Sequence, residues 1–170
     1  MIKKDLISLI IPCFNEEEAI PVFHTEVDKT TKKMKNVDFE FIFIDDGSRD
    51  KTLEILRDLA KKDKRVHFRS FSRNFGKEAG MLAGLEKAKG DYVTFMDVDL
   101  QDPPTMLEDM YKTLKEEDYD CVALYTESHK GYNFIRKGLT NMWYKFNAKL
   151  SNSKQKPGAR DFRLMTRQMV

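Results

Sequence analysis

The chain has 170 residues, 41% of them hydrophobic and 34% charged, with a formal net charge of only +2. That length suits one domain with a sizeable core, and the composition excludes disordered, collagen-like and disulfide-scaffold classes. No run approaches the roughly 20 apolar residues of a spanning helix, the charged stretch Met1 to Leu6 is no signal peptide, and the isolated Cys13 and Cys121 read as core residues of a reduced protein.

In chain order, "LISLIIPCF" (Leu6–Phe14) is a near-continuous apolar run closed by a turn, the pattern of a strand buried on both faces. Ile20, Phe23, Val27 and Met34 then fall on one helical face, with Pro21 tolerable in the first turn. "FEFIFIDDGS" (Phe39–Ser48) predicts a second strand, and Leu53, Leu56 and Leu59 a second helix. "VHFRSFS" (Val66–Ser72) predicts a third strand, and Ala79, Leu82, Ala83 and Leu85 a third helix. "DYVTFMD" is a fourth strand, followed by a helix opened by Pro103 and Pro104 and carrying Met106, Leu107, Met110 and Leu114. "DCVALYT" (Asp120–Thr126) is a fifth.

The βαβαβαβαβ order calls for an α/β fold with a mainly parallel central sheet flanked by helices. After Thr126 the alternation stops. "GYNFIRKGLTNMWYKFNAKL" reads as a long basic and aromatic helix, "SNSKQKPGARD" as a polar loop, and "DFRLMT" as a short late strand. Residues 130–170 hold ten basic residues against the single acid Asp161, a net +9 that leaves −7 for residues 1–129. A basic third appended to an acidic body suggests a face for phosphate groups or an anionic lipid surface; a solvated basic helix reads equally well from charge alone. Nothing points to nucleic acid.

In an open parallel sheet, ligands sit beyond the carboxyl ends of the strands. There the first strand delivers Asn15 and Glu16, the second Asp45 and Asp46, and the fourth Asp97 and Asp99. "DDGS" on its own is more naturally a turn, and "NEEE" also suits the start of a helix. "DVDLQDPP" is harder to read as structure. Two acids at i and i+2, leaving an apolar strand, repel unless a cation sits between them, and hard oxygen ligands favour Mg²⁺ or Mn²⁺ with phosphate completing the shell. In "SRNFGKEAG", Arg73 and Lys77 flank Gly76 just before a helix, an arrangement suited to a diphosphate.

Together, "IIPCFNEEEAI", "FIFIDDGSRDKT", "SRNFGKEAGMLAGLEKAKGD", "FMDVDLQDPP" and "GARDFRLMTR" resemble the family 2 glycosyltransferases of GT-A fold, and within them the polyprenyl-phosphate branch that includes dolichyl-phosphate mannose synthase. The resemblance runs from Leu6 to Arg167. It implies a single catalytic domain over residues 1–170, with a nucleotide-sugar-binding part (1–126) and an acceptor-side segment (127–170). It further implies that Pro12, Asn15 and Glu16 line the nucleotide pocket, that Asp45 and Asp46 lie at the nucleotide with Asp46 on base or ribose, and that Asp97 sits by the sugar and diphosphate. Asp99 and Gln101 would hold the metal, while Asp161 and Arg163 match the acid and arginine near the acceptor. Two departures stand out. Thr126 in "VALYTES" falls where the bacterial branch usually has the arginine of a "YGVR" run, so Arg136 or Lys137 is expected to meet the acceptor phosphate. Members of the branch often continue into membrane helices, so the chain is expected to be either a truncated catalytic domain or a soluble variant, with the full-length protein working at the cytoplasmic face of a membrane.

The expected reaction is inverting transfer of a hexose, from UDP-glucose in preference to GDP-mannose, to a polyprenyl phosphate; whether the chain forms homo-oligomers is left open. One alternative is transfer to a saccharide hydroxyl in polysaccharide synthesis. A nucleotidyltransferase would carry a Gly-rich loop with Arg near its N-terminus, and a haloacid-dehalogenase phosphatase would place its D-x-D after the first strand. A receiver-like signalling domain is the non-enzymatic rival, set apart by lacking D-x-D-x-Q.

Overall fold

In the computed structural model, which describes residues 3–125 and 159–170, the chain divides into two units. The first comprises Met1–Val122 and Phe162–Val170; the second is Ala123–Asp161. The elements run β1 (Asp5–Cys13), α1 (Ala19–Thr31), β2 (Val37–Asp45), α2 (Thr52–Lys62), β3 (Val66–Ser70), α3 (Lys77–Leu85), β4 (Tyr92–Phe95), α4 (Met106–Glu116), β5 (Cys121–Tyr125) and β6 (Ala159–Thr166). The second unit supplies the ends of β5 and β6. Thr126, Arg136, Lys137 and the expected basic helix lie outside the described residues.

The sheet order is β3-β2-β1-β4-β6-β5. β1 pairs in parallel with β2 and β4, and β2 with β3, while β6 runs antiparallel to β4. The expected mainly parallel α/β sheet is therefore present, with the late strand inserted between β4 and β5. The chain moves outward from β1 to β3 and then crosses back to lay β4 on the other side of β1. The switch point in strand order thus lies between β1 and β4, and a crevice opens beyond their carboxyl ends.

The apolar runs do what their pattern dictates. Ile7, Leu9, Ile10 and Ile11 of β1 and Phe43 and Ile44 of β2 are wholly buried, each such side chain contributing about 1.5–3 kcal/mol of burial. Phe23 of α1 meets Phe43 edge-on with ring centroids 6.2 Å apart. Leu107, Met110 and Leu114 of α4 are buried as the spacing predicts.

α3 forms where the pattern predicts a helix, and Leu85 packs against the core. Its fully buried residues are Gly80 and Gly84, while Leu82 is 61% exposed. A Cβ at Gly84 would stand 2.2 Å from Cγ2 of Ile10. The glycines let the α3 backbone lie almost directly on β1, which fixes the height at which its first residue, Lys77, reaches the crevice.

Candidate active site

Four loops border the crevice, those after β1, β2, β3 and β4, and hydrogen bonds tie the first two together. After β1, Asn15 takes φ +55°. Its amide donates to Ser48 Oγ at 2.9 Å, and its side-chain oxygen accepts from the Arg49 amide at 2.9 Å. The Glu16 amide donates to Thr52 Oγ1 at 2.8 Å, the Glu17 amide to Asp50 at 3.1 Å, and the Lys51 amide to the Glu17 carboxylate at 2.8 Å. "NEEE" and "DDGSRDKT" are thus two halves of one bonded structure, in which backbone amides of each loop find side-chain acceptors on the other.

The two acids of "DDGS" differ. Asp45 is 1% exposed and its carboxylate accepts from the Ser48 amide at 3.0 Å and from Ser70 Oγ at 2.7 Å. It holds the turn and β3 together, and it does not line the crevice. Asp46 does line it, with one oxygen accepting from the Phe75 amide at 2.7 Å and the other from the Gly76 amide at 2.8 Å.

The crevice is a cavity of about 340 Å³. Of the expected residues it brings together Pro12, Glu16, Asp46, Lys77, Asp97 and Asp99. Asn15, Asp45, Arg73 and Gln101 are not on its wall: Arg73 lies over the Phe75 ring at 4.7 Å, and the Gln101 amide donates to Asp99 Oδ1 at 3.1 Å. Cys13, Phe14, Asn74, Gly76 and Val98 line it without having been singled out. They are neighbours in sequence of the expected residues, and a strand end carries its flanking residues to the wall with it. Arg163, on β6, is half-buried, and its charge opposes the burial that raises the Cys121 thiol. Asp161 belongs to the second unit.

Charge is concentrated at the mouth. Lys77 Nζ donates to Asp97 Oδ2 at 2.8 Å, both side chains being partly exposed. Burial raises the Glu16 carboxyl above the usual carboxylate range, and the charges of Asp99, Asp50 and Asp97 raise it further. The cluster therefore favours a proton or a cation. Between Asp99 and Gln101, Leu100 takes φ +57°, a left-handed conformation that costs a non-glycine residue about 1–2 kcal/mol and that is tolerated where a site needs its flanking groups aimed.

The partly exposed Asp97 and the exposed Asp99, two hard-oxygen carboxylates in a field that raises Glu16, fit Mg²⁺ or Mn²⁺. Among the described residues, no three His, Cys, Asp or Glu side chains are grouped to hold a metal ion. The set therefore suits an ion that completes its shell with water and phosphate oxygens. No described helix is long and apolar enough to cross a membrane.

Residues 8–170 match the profile of Glycosyl transferase family 2. CsbB of Bacillus subtilis (strain 168), a glycosyltransferase by name, is 44% identical over 99% of this chain and 50% of its own length. The bactoprenol glucosyl transferase of Shigella phage SfV is 40% identical over 96% of this chain and 53% of its own. The chain thus spans about half the length of these relatives. Among solved structures, the mannosyltransferase PcManGT from Pyrobaculum calidifontis, in complex with GDP-Man and Mn²⁺, superposes with a TM-score of 0.66 at 17% identity, over 99% of this chain and 46% of its own. That likeness shows the fold, which is GT-A.

Proposed function

The chain belongs to glycosyl transferase family 2, and from that premise we propose that it transfers a hexose from a nucleotide diphosphate sugar to a polyprenyl phosphate, with inversion at the anomeric carbon. The observation that carries this reading is the convergence of Glu16, Asp97, Asp99 and Lys77 on one open cavity at the switch point of the sheet. The bactoprenol relatives support the acceptor class, and UDP-glucose is the favoured donor.

Each residue has a task that follows from its place. Pro12 and Glu16, on the loop after β1, border the nucleotide. Asp97 and Asp99 would hold the divalent ion, which when bound supplies Lewis-acid neutralisation of the leaving diphosphate. Lys77, at the first position of α3, adds a cation and a helix N-terminus on the same side. A departing diphosphate gathers negative charge, and donors fixed in advance stabilise it without reorganisation.

Acceptor chemistry decides what Asp161 does. A phosphate monoester, with a second pKa near 6, is already largely anionic at neutral pH and needs no general base. Asp161 then positions the acceptor, and Arg163, Arg136 and Lys137 are the cations proposed to meet its phosphate. The basic segment 130–156 would face an anionic membrane surface.

The test is a panel of UDP-glucose, UDP-N-acetylglucosamine and GDP-mannose with Mn²⁺ or Mg²⁺, scored for transfer to a polyprenyl phosphate, to the matching neutral alcohol and to free saccharide. Metal-dependent transfer to the phosphate alone is expected. Equal transfer to the alcohol or to saccharide would overturn the acceptor assignment.

A further inference from the structure

Asp46 is 4% exposed and both of its oxygens are engaged, on the amides of Phe75 and Gly76. Its own amide donates to the Cys13 carbonyl at 2.9 Å, which ties the same residue to the end of β1. Gly47, next in sequence, has φ +72°, and a Cβ there would stand 2.4 Å from the Arg73 carbonyl carbon and 2.7 Å from its Cα. The turn after β2 and the loop before α3 therefore touch at two adjacent points. At one a carboxylate grips two amides, and at the other a missing side chain admits the backbone. Downstream of that contact, Gly76 (φ +96°) opens α3 and Lys77 reaches Asp97.

We infer that Asp46 is a positioning residue. Through the amides of Phe75 and Gly76 it sets where Lys77 and the start of α3 stand relative to Asp97 and Asp99. The chemistry suits that task, because hydrogen bonds from two amides to one carboxylate are charge-assisted and fix the loop in two directions at once. An Asn side chain of the same size would present an NH₂ group to one of the two N–H donors, so the isosteric change breaks the grip. The inference rests on the reading of the crevice as a nucleotide diphosphate site and deepens it. The role given to Asp46 by resemblance was contact with base or ribose, and the two roles make different demands on ligands that share a nucleoside.

The test is calorimetric binding of UMP and UDP, with GMP and GDP in parallel, to the wild-type chain and to D46N, G47A, K77M and D46N/K77M, all with Mn²⁺. A positioning role acting on Lys77 weakens UDP by about tenfold or more, the scale of one hydrogen bond to a charged group, while leaving UMP within about twofold. G47A, which displaces the same loop without touching a carboxylate, shows the same split. D46N/K77M binds UDP no more weakly than K77M alone, because the two residues act as one unit. Hydrogen exchange at the Phe75 and Gly76 amides gives a readout independent of ligand: both are protected in the wild type and lose protection in D46N. Equal weakening of UMP and UDP in D46N, additive losses in the double variant, or unchanged protection of those amides would overturn the inference and leave the site reading standing. A wild-type chain that binds none of the four nucleotides would overturn both.

Discussion

At the amino-terminal end of the sheet, acids among the described residues are engaged by hydrogen-bond donors. Asp5 accepts from Tyr111 Oη at 2.6 Å and from Lys115 at 3.0 Å, and Asp91 accepts from the Leu6 amide at 2.9 Å. Glu40 accepts from Ser8 Oγ and the Lys89 amide. At the carboxyl end, Glu16, Asp97 and Asp99 share one cavity with Lys77, and the field of the cluster raises Glu16. The residue types are the same at both ends, and the topology separates their work. Where strands begin, a carboxylate is spent on stability. Where β1 and β4 end, at the switch in strand order, repulsion between carboxylates is maintained, as it is where a protein gives up stability for function.

The comparison breaks most sharply at Asp99. D99N keeps size and polarity, so transfer should fall by about 10³-fold with loss of metal-dependent donor binding. The denaturation midpoint of the ligand-free protein should not fall, because a like charge has been removed from Glu16 and Asp97. A lower midpoint with retained activity would mean that this end of the sheet is built like the other.

Gly84 ties the two properties together. G84A pushes α3 away from Ile10 and should cost about 1–3 kcal/mol by overpacking. Because α3 carries Lys77, UDP affinity should fall as well; urea titration and calorimetry measure the two losses on one sample.

Away from the cavity, Asp63 is held well below the usual carboxylate range, first by its hydrogen bonds from Arg65 and also by the one from His24. A depressed carboxylate contributes stability that is present above its unfolded value and is lost as pH falls through the folded one. D63N should therefore be less stable than wild type by about 1–3 kcal/mol at neutral pH. The gap should narrow as pH drops below about 4, with activity unchanged throughout.

The smallest effect is expected at Tyr111, whose hydroxyl is pushed up to about 12, chiefly by burial and also by its bond to Asp5. Y111F should cost about 1 kcal/mol and leave turnover as it was. A loss of turnover there would blur the division between the two ends.

Much of this was legible in the sequence, for a physical reason. Strands buried on both faces must be continuous apolar runs, so β1 and β2 announce themselves, and parallel topology sends their terminal acids to one edge without any knowledge of contacts. α3 was legible as a helix, but its close approach to β1 was not, because that contact is made by Gly80 and Gly84. A glycine contact carries no hydrophobic signal, whereas Leu85, part of the predicted pattern, packs against the core. Asp45 and Asp46 are adjacent and chemically identical, and only the fold separates them: one closes a turn while the other grips the loop of Lys77. Asp161, Arg136 and Lys137 rest on resemblance and pattern.

The most direct measurement is anomalous scattering from crystals grown with Mn²⁺ and UDP. The account predicts a manganese peak between the Asp97–Asp99 carboxylates and the nucleotide's phosphates, with Lys77 on the diphosphate. A peak elsewhere, or a nucleotide seated with that carboxylate pair bare of metal, would contradict it.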